Sequence, residues 1–219
     1  MKPSPRSSGF QSPDQDRFAQ RIGELRASLS QTNPILLANR TEVLYQPLED
    51  GRGEFLLPFW EHQVLLTYPD FKAYLLPERK PASSFNLAML LYYFSTADGA
   101  LLTGHWIAFS ELPDGRFYAQ AFQSYTGQEL ARAFQGDSAG FARAALGLGG
   151  QAQSLGDASF SFLPLPRVPL LVAFWQGDED FPASFQVLFD ASAPHYLPTD
   201  AFAILGSTIT HRLIYAKTT

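Results

Sequence analysis

Three adjacent carboxylates, Asp178, Glu179 and Asp180, are the group of side chains best placed by sequence to do chemistry. They follow Gly177 and lie between two apolar segments, a pattern that predicts an acidic turn. Carboxylate oxygens are the ligands that Ca²⁺ and Mg²⁺ prefer, and a bound divalent ion can activate water for hydrolysis. The turn therefore predicts either a metal site or a solvated loop that keeps the end of a sheet soluble.

The two apolar segments predict the strands that hold this turn. Residues 168–175 are apolar at both parities, which is typical of a strand covered on both faces. Residues 184–189 follow after only eight residues, and a parallel crossover needs about a dozen or more, so we expect antiparallel pairing. The acidic turn then lies at one end of the pair and Asp190 at the other, about 17 Å away.

Aromatic residues near the turn predict a recognition surface. Trp175 precedes the carboxylates, Phe181 follows them, and Trp106 lies on another predicted strand. The hypothesis is a pocket in which Trp106 and Trp175 stand beside the acidic turn, which would suit a flat or cationic ligand. The predicted ligand-binding residues are Trp106, Trp175, Asp178, Glu179, Asp180 and Phe181, and the three carboxylates among them are the metal ligands of the alternative.

A second polar group consists of Arg167, Asp190, His195 and Asp200. An acid and an imidazole are side chains of general acid–base chemistry, but the spacing matches no catalytic signature and G-x-S-x-G is missing. The interpretation that we prefer is structural. It predicts an ion pair between Arg167 and Asp190 across the strand end, with Thr199 as the cap of the last helix.

Composition excludes several classes of site. The 219 residues include no cysteine, so this chain cannot form disulfides, thiolate metal sites or cysteine-ligated iron–sulfur clusters. The 4 histidines are far apart in sequence and match no zinc-binding spacing. A formal charge of −5 argues against nucleic acid and anionic membranes as partners. The expected partners are a small ligand or a protein.

Domain organisation and location follow from segment composition. Residues 1–13 are rich in proline and serine and are predicted to be a disordered tail, while residues 14–219 are predicted to form a single α+β domain. The tail has no apolar stretch of the kind found in signal peptides, and no apolar run approaches the length of a membrane span. We therefore expect a cytoplasmic protein.

Periodicity predicts an α+β fold with a mainly antiparallel sheet, a buried helix and flanking N- and C-terminal helices. The helix at 84–95 is apolar nearly all round, which is typical of a buried helix. The predicted helices are 14–29, 34–39, 84–95, 127–134, 138–146 and 200–213. Besides the strands at 168–175 and 184–189, the predicted strands are 43–45, 54–59, 63–68, 71–76, 105–111, 117–122 and 158–163.

Two segments together resemble an uncharacterised prokaryotic family, domain of unknown function 3786. The first is LTGHWIAFSELP at 102–113, and the second is WQGDEDFPA at 175–183, followed by LFD at 188–190. The resemblance implies no activity. Some members of that family are joined to cysteine-rich iron–sulfur segments, and the lack of cysteine puts a redox role in doubt here. The residues that the resemblance marks as defining the family are Trp175, Asp178, Glu179, Phe181, Pro182 and Asp190.

The sequence leaves three functions open. The leading hypothesis is a non-enzymatic cytosolic binding or accessory domain whose acidic, aromatic-flanked turn is the recognition surface. The alternative is a hydrolytic enzyme in which the carboxylates of Asp178, Glu179 and Asp180 hold a divalent ion. A third hypothesis is an assembly domain that places the turn at a subunit contact.

Overall fold

The computed structural model of the chain describes the backbone of residues 13–218 and the side chains of residues 17–218. The predicted disordered segment 1–13 therefore lies, apart from Pro13, outside the described residues. Helices combine with two sheets of five strands each, and every strand pair in them is antiparallel. The predicted α+β class is confirmed, although the strands divide between two sheets.

Helices α2 and α3 begin at the polar caps that the sequence predicts. Asn33 Oδ1 accepts a hydrogen bond from the Ile35 N–H at 2.8 Å, and Ser83 Oγ accepts one from the Asn86 N–H at 3.1 Å. Over residues 13–218, no helix is apolar for long enough to traverse a bilayer. The helices are α1 (Pro13–Ser30), α2 (Pro34–Thr41), α3 (Ser84–Thr96), α4 (Gly115–Tyr125), α5 (Gly127–Phe134), α6 (Ser138–Gly147) and α7 (Thr199–Thr218).

The first sheet is a meander in which strands pair in chain order, β1-β2-β3-β4-β5. The second sheet has the order β6-β10-β9-β8-β7, with the longest strands near its centre. The strands are β1 (Leu44–Pro47), β2 (Gly53–Phe59), β3 (His62–Tyr68), β4 (Ala73–Leu75), β5 (Lys80–Pro81), β6 (Trp106–Ala108), β7 (Gln151–Gln153), β8 (Ala158–Leu165), β9 (Val168–Trp175) and β10 (Ser184–Asp190).

Strands β9 and β10 form the predicted antiparallel pair. Trp175 lies opposite Ser184, and Leu170 lies opposite Phe189. Residues of both parities along β9 are buried, which confirms that the strand is covered on both faces. The acidic turn and Asp190 therefore lie at opposite ends of the pair, as predicted.

Aromatic rings join the helices to the sheets. In the first sheet, Phe55 of β2 packs against Phe94 of α3 with ring centroids 4.8 Å apart. Against the second sheet, Phe141 of α6 packs among four rings with centroid distances of 5.1 to 6.3 Å. Three of these rings belong to the sheet and one to α5, namely Phe160, Phe174, Phe185 and Phe134. All of these residues belong to one continuous hydrophobic cluster.

The predicted strand 117–122 is wrong, because this segment lies in α4. Its aromatic residues favoured a strand, but burial follows the helical period. Gly115 and Phe122, seven residues apart, are buried on one side of the helix, whereas Phe117 is 84% exposed.

The predicted strand 105–111 is too long. Only Trp106–Ala108 pairs with β10, and Phe109–Glu111 forms a 3₁₀ turn. The Glu111 carboxylate accepts a hydrogen bond from the Ala108 N–H at 2.7 Å, and this local bond ends the strand in favour of a turn.

Candidate functional site

The acidic turn is closed by one of its own carboxylates. Asp178 Oδ1 accepts hydrogen bonds from the backbone N–H groups of Asp180 (2.9 Å) and Phe181 (2.8 Å). The Asp178 N–H in turn donates to the Phe181 carbonyl at 2.8 Å. Asp178 therefore fixes the turn, and Phe181 is presented to solvent with 72% of its surface exposed.

The three carboxylates of the turn do not converge. Among the described side chains, no group of three or more Asp, Glu or His residues is arranged to hold a metal ion. One Asp178 oxygen already accepts hydrogen bonds from two backbone N–H groups. The metal-assisted hydrolase stays a prediction, and no arrangement in the described residues favours it.

Asp178→Ala is expected to lower the free energy of unfolding by about 1 kcal/mol, because it removes two hydrogen bonds from an exposed turn. Urea denaturation measures this change. Asp180→Ala is the matched control, since residue 180 contributes its backbone N–H to the turn. Equal losses in both variants, or a melting temperature that rises with Ca²⁺, Mg²⁺ or Mn²⁺ over EDTA, would contradict a purely structural Asp178.

The predicted pocket between Trp106 and Trp175 is wrong. Trp106 lies opposite Asp190, whereas Trp175 lies opposite Ser184 at the other end of β10. Six residues of strand separate these positions, which is about 20 Å. The Trp175 ring instead lies against the backbone of Gly156, where an added Cβ would come within 3.1 Å of the indole.

Asp190 is a buried carboxylate that binds a loop. Its Oδ1 accepts hydrogen bonds from the Thr103 N–H (3.0 Å), the Thr103 hydroxyl (3.0 Å) and the Ser192 N–H (2.9 Å). Its Oδ2 accepts one from the Gly104 N–H at 2.7 Å. Burial by itself raises the pKa of Asp190, but the hydrogen bonds from Ser192 and Thr103 outweigh it and hold the pKa below its ordinary value. The two sequence segments singled out by resemblance thus meet in one contact.

The predicted Arg167–Asp190 ion pair is also wrong. Arg167 Nε lies 2.5 Å from Glu42 Oε2, at the end of α2. The Asp190 carboxylate is satisfied by backbone donors instead, because the loop that contains Thr103 passes over it. The long Arg167 side chain is therefore free to reach the neighbouring helix.

The other members of the second polar group are separated as well. His195 Nδ1 lies 2.7 Å from Asp98 Oδ2, and both side chains are about half exposed. The hydrogen bond from His195 and one from the Ala100 N–H hold the pKa of Asp98 below its ordinary value. Thr199 is the first residue of α7, and its hydroxyl donates to the Pro113 carbonyl at 2.6 Å, so it ties the start of the helix to the loop before α4.

A site that the sequence did not predict lies where the β2–β3 hairpin meets α7. Trp60 and Glu61 are the two residues of the hairpin turn, and Trp60 has a left-handed φ of 54°. A bulky residue seldom adopts this conformation, which carries strain. The Trp60 N–H donates to the Pro164 carbonyl of β8 at 2.9 Å, which holds the turn against the second sheet.

Charged groups converge on the Trp60 ring. The Arg212 guanidinium lies over the indole, 4.8 Å from the ring centroid, and forms an ion pair with Glu61. His62 Nε2 lies 3.3 Å from the other Glu61 oxygen. Burial raises the pKa of Glu61, but its own backbone N–H and Arg212 outweigh this and hold the pKa below its ordinary value.

These groups border a hollow of about 310 Å³, which we call the Trp60 cleft. Its size is in the range of small-molecule sites, and its walls combine six apolar with five polar residues. Its lining residues are Phe59, Trp60, Glu61, His62, Phe85, Asn86, Met89, Ile204, Leu205, Thr208 and Arg212. A second hollow of about 170 Å³ adjoins it and shares Phe85, Met89 and Ile204.

Sequence reasoning missed this site because its parts are remote from one another. Arg212 is 151 residues from Glu61, and no local pattern joins them. One signal was present. A two-residue turn between strands normally contains Gly, Asn or Asp, so a tryptophan at position 60 marks an unusual turn.

Residues 36–212 match the family model described as Domain of unknown function (DUF3786). The chain belongs to this family. The DUF3786 match starts in α2 and ends at Arg212, so it includes the polar end of the Trp60 cleft, the acidic turn and Asp190. It confirms the resemblance found in the sequence. No curated protein and no solved structure shows significant similarity to the chain.

Proposed function

We propose that this DUF3786 chain is a non-enzymatic cytosolic binding domain that takes a small molecule in the Trp60 cleft. The observation that carries the proposal is the cluster of Arg212, Glu61 and His62 at a hollow of about 310 Å³ whose other walls are mainly apolar. Apolar walls supply affinity and a few placed polar groups supply orientation, which is the usual design of ligand sites.

The position of the His195–Asp98 pair supports a non-enzymatic role. His195 and Asp98 form the hydrogen-bonded pair that general-base chemistry would need, but both are half exposed and neither lines the two hollows. The net charge of −5 and the absence of cysteine support a cytosolic domain without a nucleic-acid partner.

The acidic turn remains the second candidate for recognition. Phe181 is 72% exposed on a turn whose backbone is fixed by Asp178, so binding there has little backbone to order. A protein partner with an apolar pocket and a basic rim would suit this tip.

Binding of 8-anilinonaphthalene-1-sulfonate to the full chain distinguishes the two surfaces. Phe85 lines both hollows and is 47% exposed, so Phe85→Ala removes a wall at little cost to folding. We expect Phe85→Ala to weaken binding about fivefold, because part of the apolar contact is lost. Phe181→Ala is the matched control and is expected to leave binding unchanged.

Fluorescence titration of the folded proteins gives the dissociation constants, and thermal melts confirm that each variant is folded. Weaker binding in Phe181→Ala with no change in Phe85→Ala would move recognition to the acidic turn. Equal binding in all three proteins would reject the Trp60 cleft as the site.

A further inference from the structure

The Trp60 end of the cleft offers hydrogen-bond donors beyond those that the Glu61 carboxylate uses. Arg212 Nη2 pairs with Glu61, and a guanidinium carries five N–H donors, so donors remain for a second acceptor. The Arg212 side chain is 26% exposed, so an incoming group can reach it. Asn86 and His62 also line the hollow and carry further N–H groups. The end is therefore built to receive an anionic or strongly accepting group.

The Trp60 cleft and the second hollow together suit an extended aliphatic ligand. The two hollows share walls formed by Phe85, Met89 and Ile204, so they lie side by side along α3 and α7, and we call the two together the trough. Beyond the shared residues the walls are again apolar, with Phe18, Ala88, Tyr92 and Ala201. Each methylene buried along such a wall raises affinity about fourfold.

Charge at the far end fixes the direction in which a ligand would lie. Asp200 borders the second hollow and lies twelve residues before Arg212 on α7, which is about 18 Å along the helix. A carboxylate there repels an anionic group, whereas Arg212 attracts one. An amphipathic anion is therefore oriented with its charged head against Arg212 and its apolar tail toward Asp200.

We infer that the occupant of the Trp60 cleft is an alkyl carboxylate, with its head on Arg212 and its chain along Phe85 and Met89. This inference rests on the proposed function and specifies its ligand class. Carboxylate and guanidinium match in geometry and charge, and bidentate pairs of this kind are strong.

Glu61 lies beside the position that the ligand head would take. Its carboxylate is 55% exposed and is bound to Arg212 in the structure. Because its pKa is held low, Glu61 is an anion at neutral pH and competes with the incoming carboxylate. Neutralising Glu61 should therefore strengthen binding of an anionic ligand.

Calorimetric titration of the full chain with octanoate, 1-octanol and octylammonium tests the ligand class. We expect octanoate to bind at least about tenfold more tightly than the other two. Arg212→Gln is expected to weaken octanoate binding about tenfold, and Glu61→Gln is expected to strengthen it about threefold. Hexanoate should bind more weakly than octanoate, in line with the apolar trough.

Two exposed residues outside the cleft provide matched controls. Arg116→Gln removes an exposed guanidinium on α4, and Glu129→Gln breaks a comparable surface pair in which Arg132 lies 2.5 Å away. Neither is expected to change octanoate binding. Melting temperatures of all variants confirm that Arg212→Gln is folded, and Arg212→Lys, which keeps the charge, should retain part of the affinity.

The outcomes separate the ligand class from the proposed function. If the three probes bind equally well, and Phe85→Ala weakens them all, the cleft is a ligand site but the carboxylate assignment is overturned. If octylammonium binds most tightly, Glu61 and Asp200 dominate and the assignment is again overturned. If no probe binding responds to Phe85→Ala or Arg212→Gln, both the assignment and the proposed function fail.

Discussion

Asp190→Ala is expected to lower the free energy of unfolding by about 3 kcal/mol. The buried carboxylate accepts four hydrogen bonds, and its removal leaves the buried Ser192 N–H without its acceptor. Thr103 and Gly104 are exposed, so water replaces part of what their N–H groups lose. Urea denaturation followed by circular dichroism measures the change.

The same carboxylate makes stability depend on pH in a defined direction. The pKa of Asp190 is lower in the folded protein than in the unfolded chain. Its contribution is therefore complete above the unfolded pKa of about 4 and is lost as the pH falls below it. Wild type should lose more stability than Asp190→Asn as the pH falls below about 4, because the amide cannot titrate.

The acidic turn again supplies a control. Asp178→Ala removes a carboxylate whose hydrogen bonds are confined to an exposed turn, and its expected loss is only about 1 kcal/mol. If Asp190→Ala costs no more than Asp178→Ala, the loop at 103–104 is not held by Asp190 in the way described.

The second large effect is expected from Phe141→Ala, which should lower the free energy of unfolding by about 3–5 kcal/mol. Phe141 is fully buried between α6 and the second sheet, and four other rings pack around it. Its removal leaves a cavity that these large, interlocked rings fill only in part. Denaturant unfolding and thermal melting should both report the loss.

Phe117→Ala provides a matched substitution outside the core. The Phe117 ring is 84% exposed on α4, so its removal should change stability by less than about 0.5 kcal/mol. A large loss in Phe117→Ala would support the strand that the sequence predicted for this segment. Equal effects in the two variants would mean that Phe141 is not at the centre of the packing.

The contact between Asp190 and the loop at 103–104 accounts for the pairing of the two family-like segments. The first segment supplies the backbone donors of Thr103 and Gly104, and the second supplies the carboxylate. Neither segment could hold this geometry without the other. The DUF3786 match thus includes a structural contact as well as the polar end of the Trp60 cleft.

Features that depend on neighbouring residues were predictable from the sequence alone. The hairpin of β9 and β10 followed from two apolar runs and a short connection, and the caps at Asn33 and Ser83 followed from residue type. The separation of the acidic turn from Asp190 followed from strand rise. In each case the deciding interaction lies within a few residues or within one hairpin.

Contacts between distant segments were decided only by the tertiary structure. Arg167 pairs with Glu42 and not with the predicted Asp190, and His195 pairs with Asp98. The packing of α2 and of the loop after α3 determines which charged groups come close enough to pair. Arg212 lies over Trp60 for the same reason. Side-chain periodicity indicates which residues are buried, but it does not indicate which buried faces pack against each other. The Trp60 cleft forms where β2, β3, α3 and α7 meet, so only the tertiary structure could show it.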